Sequence, residues 1–279
     1  MVEILIELTV APALVGVATL VARRWGARAG GVVSAFPAIV GPVLLVLALA
    51  HGRSFAAHAA NGTLLGLVSL AAFALAYGRV AQYRGWVASL IAAWGCAAVA
   101  AVAVGVLAGG AGSPGGLLIA AVALGLAWRA SPAVTVGSAA GRPRRGMTAL
   151  RMATAAVLVA LLAAAAGALG PLAGGMLAAL PVLACVLAVF THREAGAPSA
   201  IGLLRGLLAG MASFVVFCQL IAMLLVPYGT APAFALATVA ALVVQVLTVW
   251  PVHSVLRRHS SAASVAVAAA AGSLRRQSS

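Results

Sequence analysis

The sequence contains no lysine and no aspartate, and its only acidic residues are Glu3, Glu7 and Glu194. Glycosidases need a pair of carboxyl groups, and phosphoryl-transfer enzymes need acidic residues that hold Mg²⁺. The HExxH, GxSxG and Walker motifs are also absent, and no GxGxxG pattern lies at a strand-to-helix turn. The sequence therefore gives no support for an enzyme, and we predict no catalytic residue, no metal and no cofactor.

Cysteine is scarce as well. Cys96, Cys185 and Cys218 each lie inside an apolar stretch, and none has the close spacing of a metal or redox motif. We interpret all three as small buried hydrophobic residues.

Charged residues make up 7% of the 279 residues, whereas 65% are hydrophobic, and the mean hydropathy is +1.18. A soluble fold could not cover so much apolar surface, so the composition indicates an integral membrane protein whose main partner is the lipid bilayer. The net charge of +14 comes from arginines placed between apolar runs. Because they form no patch with interleaved aromatic residues, they indicate membrane topology and no nucleic-acid partner.

A helix needs about 20 apolar residues to cross a bilayer, and on that basis we expect nine transmembrane helices. The first, Met1 to Ala22, is interpreted as a retained span because it lacks the basic start of a secretory signal. The fifth has the shortest apolar core and is alternatively a re-entrant segment. The nine predicted spans are 4–22, 30–50, 57–78, 86–108, 115–130, 150–168, 172–191, 200–225 and 231–252.

Arginine is concentrated in alternate connections between these spans. With the N-terminus outside, the inner connections carry Arg23, Arg24, Arg28, Arg79, Arg84, Arg129, Arg142, Arg144, Arg145, Arg193, Arg257 and Arg258, and the outer ones carry only Arg53. This asymmetry predicts a bacterial inner-membrane protein with a cytoplasmic C-terminus. Residues 255–279 are expected to form a frayed cytoplasmic tail.

An internal repeat is indicated by Ala-Gly-Gly-Val-Val-Ser-Ala-Phe-Pro at 29–37, which returns as Ala-Gly-Gly-Met-Leu-Ala-Ala-Leu-Pro at 173–181. The two copies open spans two and seven, and a displacement by five spans reverses orientation. We therefore predict an inverted-topology repeat of four helices, 1–110 and 148–254, joined by a linker helix and an arginine-rich loop at 111–147.

Small residues predict where the helices pack closely. Gly62 and Gly66 in span three are aligned with Gly202 and Gly206 in span eight, and the pattern continues to Gly210. Because small residues let helix backbones approach one another in lipid, we expect these two faces to meet between the repeats.

The prolines of the repeated motif predict the substrate site. Pro37 and Pro181 each remove a backbone donor, so each is expected to kink or break its helix inside the membrane. Broken helices at repeat interfaces bind substrate in many transporters, and Ser34 is expected to line the same site. The alternative is a membrane proline that is tolerated without any ligand.

Three further residues are candidates for substrate binding. Glu7 could carry a proton or hold a cation, or it could simply face headgroups at the outer surface. Arg205, inside span eight, must either extend to the inner surface or bind an anionic group. Gln219 needs a polar partner in hydrocarbon, for which interhelical hydrogen bonding is the alternative to a ligand.

The motif Ala-Gly-Gly-x-x-x-Ala-x-Pro, followed by an apolar helix, a short polar turn and the glycine-spaced helix at 62–66, resembles the GlpM family of small bacterial inner-membrane proteins. The resemblance implies that each half of the chain corresponds to one family member. It also implies a membrane protein of poorly defined activity, with one member linked to exopolysaccharide production. We expect either a secondary transporter or lipid translocator, which moves a small solute or an anionic lipid, or a non-transporting subunit that works with other envelope proteins.

Overall fold

The computed structural model describes residues 2–37, 40–108, 113–133, 150–158 and 181–248, and within these ranges the chain is helical apart from short connections. We number the helices in chain order. They are α1 (Val2–Trp25), α2 (Ala27–Ser34), α3 (Val40–His51), α4 (Arg53–Val80), α5 (Trp86–Ala108), α6 (Ser113–Ala130), α7 (150–158), α8 (Val182–Tyr228) and α9 (Thr230–Thr248). Helix α8 is interrupted at Gly196, and we call its two parts α8a (182–195) and α8b (197–228).

Four of these helices are long and apolar enough to cross a membrane, namely α4, α5, α8 and α9, whereas α3 and α6 are shorter apolar helices. The described residues contain no strand. The prediction of an all-helical membrane protein is confirmed at this level. Parts of predicted spans six and seven (159–180), the arginine-rich loop from 134 to 149 and the tail at 255–279 lie outside the described residues.

One predicted connection is wrong. The predicted spans 172–191 and 200–225 leave a connection between them that carries Arg193. The helix instead continues through residue 195, and Gly196 alone, with a φ of 80°, redirects the chain. Pro198 then lies in the first turn of α8b. Proline is tolerated there because N–H groups in the first turn have no partner within the helix.

Gly196 has a counterpart in the first half of the chain. Gly52, with a φ of 90°, joins α3 to α4 in the same way that Gly196 joins α8a to α8b. A side chain would be strained at this backbone conformation, which explains why both junctions are glycine. The sequence separation of Gly52 and Gly196 equals that of Pro37 and Pro181, so the two copies align without a gap.

The spacing of 144 residues pairs Gly62 with Gly206 and Gly66 with Gly210, whereas the predicted pattern aligned them with Gly202 and Gly206. At this spacing, both members of each of the following pairs are fully or almost fully buried: Ala56 and Ala200, Leu64 and Leu208, Phe73 and Phe217, Ala93 and Ala237, and Ala97 and Ala241.

The equivalent helices α4 and α8b lie at the centre of the fold and run in opposite directions. Tyr77, near the end of α4, contacts His192, just before α8b begins. Arg79, also near the end of α4, and Arg205, near the start of α8b, both reach the C-terminal end of α6. The outer faces of α5, α6 and α9 expose valine and leucine, which are side chains suited to contact with lipid tails.

Candidate functional site

The helix predicted at 30–50 is broken next to Pro37. Helix α2 ends at Ser34, where the N–H of Ala35 still donates to the carbonyl of Val32, and α3 begins only at Val40. The carbonyl of Pro37 accepts the N–H of Gly41, so the proline marks the start of the new helix. A proline fits this place because its missing N–H would have had no partner there.

The end of α2 is held by polar side chains from two other helices. Nε2 of Gln245 in α9 donates to the carbonyl oxygen of Val32 at 2.6 Å. The hydroxyl of Ser213 in α8b lies 2.5 Å from Oε1 of Gln245, and both side chains are buried. The carbonyl of Val32 also accepts the N–H of Ala35, so Gln245 adds a second hydrogen bond, which contributes about 0.5–1.5 kcal/mol to the stability of the broken helix. Ser34 is satisfied locally, since its hydroxyl donates to the carbonyl of Gly31 at 2.7 Å.

Helix α2 lies directly against α8b through glycines on both helices. A Cβ on Gly31 would collide with the carbonyl oxygen of Leu203, and a Cβ on Gly206 would collide with that of Arg28. A Cβ on Gly210 would lie 2.6 Å from the carbonyl oxygen of Val32. The glycines at 206 and 210 therefore pack at a close helix contact, but their partner is α2 rather than the glycine face of α4.

Pro181 occupies a position equivalent to Pro37. It is buried, it precedes the first residue of α8a, and its carbonyl accepts the N–H of Cys185 at 2.8 Å. Both prolines therefore start a helix. The helix predicted to precede Pro181 lies at residues outside the described ranges.

A buried ion pair joins α7 to α8a. Nη2 of Arg151 lies 2.9 Å from a carboxylate oxygen of Glu194, with 6% and 22% of the two side chains exposed. The guanidinium also donates to the hydroxyl of Thr19 in α1 and stacks over the ring of Phe190. Neither partner was among the predicted site residues. The available signal was that Glu194 is one of only three acids in the sequence.

His192 was also expected to be solvated at the end of a span. Its Nδ1 instead lies 3.2 Å from the hydroxyl of Tyr77, which is fully buried in α4. This contact and the ion pair at Glu194 come from the same turn of α8a. The last turn of α8a therefore carries polar groups that connect it to α1, α4 and α7.

Arg205 lies at the C-terminal end of α6. It donates to the carbonyl oxygen of Ser131 at 2.8 Å and stacks over the ring of Trp128, while Arg79 donates to the carbonyl of Ala130. Arginines at the C-terminal end of a helix donate to carbonyls that have no partner within the helix, and their positive charge interacts favourably with the negative end of the helix dipole. Arg205 therefore helps to cap the C-terminal end of α6.

The other predicted candidates lie in α1, α4 and α8b. Gln219 is buried in α8b. Glu7 lies in α1, and its side chain is outside the described part of the structure. Gly202 is buried in α8b, Gly66 is half-buried in α4, and Gly62 is exposed. The structure thus brings together Ser34, Pro37 and the glycines of α8b, with Gln245 and Ser213 as additional members.

The described residues contain no group of histidine, cysteine or acidic side chains arranged to hold a metal ion. A shallow apolar groove lies on the outer face of α5 and is lined by Ala98, Val99, Val102 and Ala103. No family model, no curated protein and no solved structure matches this chain.

Proposed function

We propose that the protein is a small secondary transporter or lipid translocator of the bacterial inner membrane, with its substrate site at the broken helix between α2 and α3. The observation that carries this proposal is the break itself. Irregular backbone at membrane depth persists only where protein buries it or where it lines a cavity, and broken helices at repeat interfaces are a common form of transport site.

The proposed architecture is nine spans, in which two inverted repeats are joined by α6. The ungapped alignment of Pro37 with Pro181 and of Gly52 with Gly196 supports the repeat. The opposite directions of α4 and α8b support the inversion, because parallel copies would carry equivalent helices that point the same way.

The proposed orientation places the N-terminus outside and the ends of α1, α4 and α6 at the cytoplasmic surface. Three tryptophans at this level stack with arginines, namely Trp25 with Arg24, Trp86 with Arg193 and Trp128 with Arg205. Tryptophan is enriched at membrane interfaces and arginine at the cytoplasmic one, so these pairs support the orientation.

The buried ion pair of Arg151 and Glu194 fits a transporter that changes conformation. It links α7 to α8a near the proposed cytoplasmic end. Removing two charges from water is costly, and hydrophobic side chains of similar shape often stabilise a protein equally well. An ionisable pair inside the membrane is therefore a candidate for a functional role rather than for a purely stabilising one. In this proposal the pair closes the inner side and separates when that side opens.

Accessibility from the two sides of the membrane tests the proposal without knowledge of the substrate. A Ser34→Cys variant, with the native cysteines replaced, is placed in oriented vesicles and treated with a membrane-impermeant maleimide from either side. A transporter that alternates access is expected to be labelled from both sides. Labelling from neither side, or from one side only, contradicts transport at this site. A screen of solutes and fluorescent lipids in proteoliposomes then identifies the substrate.

The second candidate function is a non-transporting subunit of an envelope or exopolysaccharide machine, as the resemblance to the GlpM family suggests. The apolar groove on α5 favours it, since such a surface could accept a helix of another membrane protein as well as lipid. If this alternative is right, the cysteine of the Ser34→Cys variant should not be labelled by the maleimide from either side of the membrane.

A further inference from the structure

The ion pair of Arg151 and Glu194 uses only part of its hydrogen-bonding capacity. Nη2 of Arg151 lies 2.9 Å from one carboxylate oxygen of Glu194. Nε of Arg151 and the second carboxylate oxygen are also buried, and neither has a hydrogen-bond partner among the described residues. Nε and Nη2 lie on the same edge of a guanidinium, and a carboxylate that fits this edge bonds to both. The carboxylate of Glu194 therefore fits the edge incompletely.

Arg151 is also held by contacts that do not involve Glu194. Nη1 donates to the hydroxyl of Thr19 at 3.4 Å, and the guanidinium lies over the ring of Phe190. Only 6% of the Arg151 side chain is exposed, compared with 22% of the Glu194 side chain. When the pair separates, Glu194 can therefore turn toward water, whereas Arg151 stays buried.

A buried guanidinium without a counter-charge is costly, so Arg151 needs another anion when Glu194 leaves it. The sequence offers no substitute at this end of the molecule, because its other acids are Glu3 and Glu7. Arg23, in the last turn of α1, acts on Arg151 as a further positive charge. Glu7 lies about 24 Å from Arg23 along the same helix. The replacement anion must therefore come from outside the chain.

We propose that Arg151 binds a carboxylate group of the transported molecule, and that this group replaces Glu194 at the guanidinium. The inference rests on the proposed function, in which the pair separates when the inner side opens. A carboxylate suits the site because its two oxygens match the two donors, Nε and Nη2, of the exposed edge. Glu194 is then a built-in competitor that occupies Arg151 while the inner side is closed.

Binding of acetate to the purified protein tests the site. Sodium acetate replaces sodium chloride at constant ionic strength, and the apparent affinity is obtained from the rise in Tm with acetate concentration. Glu194→Gln keeps the shape of the side chain but removes the competing charge. Acetate should bind this variant at least about tenfold more tightly than the wild-type protein, since a competitor that fills the site for about nine-tenths of the time lowers the apparent affinity by that factor.

Three further variants make the test specific. Glu194→Asp keeps the charge on a shorter side chain, and it too should bind acetate more tightly than the wild-type protein, even if Glu194→Gln does not fold. The double variant Arg151→Leu and Glu194→Leu should lose acetate binding. The matched control is Arg193→Gln, which removes one exposed positive charge next to the pair and should leave the affinity unchanged.

Decanoate distinguishes the two sources of a carboxylate, a small organic acid and a fatty acid. The part of decanoate binding that the double variant loses is compared with that of acetate. Tighter binding of decanoate supports a fatty acid as the ligand, and equal or weaker binding supports a small organic acid. Both results support a carboxylate site at Arg151.

The proposal is overturned if acetate binds Glu194→Gln and Glu194→Asp no more tightly than the wild-type protein. It is also overturned if binding persists in the double variant, or if Arg193→Gln weakens binding as much as the double variant does.

These failures are distinct from a failure of the proposed function, because acetate binding requires no transport and Ser34→Cys labelling requires no ligand. Labelling of Ser34→Cys from both sides without acetate binding retains transport and removes the carboxylate site. Acetate binding in a protein that is labelled from neither side removes transport, and with it the claim that the ligand is a substrate.

Discussion

The contact between α2 and α8b makes a quantitative prediction about Gly206. Replacement by alanine adds one methyl group, and that group would collide with the carbonyl oxygen of Arg28 and lie 3.1 Å from its Cα. These are backbone atoms of a helix, so they cannot rotate away as a flexible side chain could. Relief requires α2 to move away from α8b as a unit, which loosens the packing of its buried residues.

The expected cost follows from two opposing terms. Overpacking a well-packed contact costs about 1–3 kcal/mol, while replacement of glycine by alanine inside a helix gains about 1 kcal/mol. Gly206→Ala should therefore destabilise by up to about 2 kcal/mol, and Gly206→Leu should cost more. A difference of about 1 kcal/mol shifts Tm by about 2–4 °C in a chain of this size.

The native cysteines provide the assay. Of the three cysteines that the sequence predicts to be buried, Cys218 is buried and Cys185 is half-buried, but Cys96 is exposed. Once Cys96 has been replaced by serine, a thiol-reactive fluorophore detects the exposure of the other two on heating. The matched control is Gly125 on α6, which is exposed and has open space at the Cβ position. Gly125→Ala should keep or raise Tm, and Gly125→Leu should be tolerated better than Gly206→Leu. If Gly206→Ala raises Tm as Gly125→Ala does, the reasoning about the close contact is refuted.

Further predictions concern buried polar groups and topology. Gln245→Leu should lower stability by about 0.5–1.5 kcal/mol, because it removes one of the two hydrogen bonds that the carbonyl of Val32 accepts; an unchanged Tm would contradict this. Arg151→Leu should destabilise by about 3–5 kcal/mol, and the double variant with Glu194→Leu should recover much of that loss; simple additivity in a double-mutant cycle would show that the two charges are not coupled. Single cysteines at positions 112 and 142 should be labelled only from outside and only from inside, respectively, and labelling of both from one side would exclude nine spans.

Features that depend on residues close together in the sequence could be predicted from the sequence alone. The break beside Pro37 follows from the chemistry of proline, and the helical membrane fold follows from the length and composition of the apolar runs. The repeat was visible because Ala-Gly-Gly and Pro recur at a fixed spacing. Its register was less certain, because a chain with 31 glycines offers several alignments. Gly52 and Gly196, which both have a positive φ, are separated by the same number of residues as Pro37 and Pro181.

Features that depend on distant contacts could not be predicted. Nothing near Arg151 in the sequence indicates that its guanidinium meets Glu194, since the pair forms only when α7 packs on α8a. Arg205 was assigned a choice between the membrane surface and an anion, but its partner is the carbonyl at the end of another helix. The partner of Gln245, the carbonyl of Val32, is likewise set by the packing of α2, α8b and α9.

The junctions at Gly52 and Gly196 have a mechanical consequence. A connection of one residue has no slack, so a short helix cannot shift along its axis without pulling the long helix that follows it. Helices α3 and α4 should therefore move together, and so should α8a and α8b, with any bending at the glycine between them. Epitope tags or fluorescent proteins inserted at Gly52 or Gly196 would uncouple the two helices of a pair, whereas insertions between residues 134 and 149 would leave both pairs coupled.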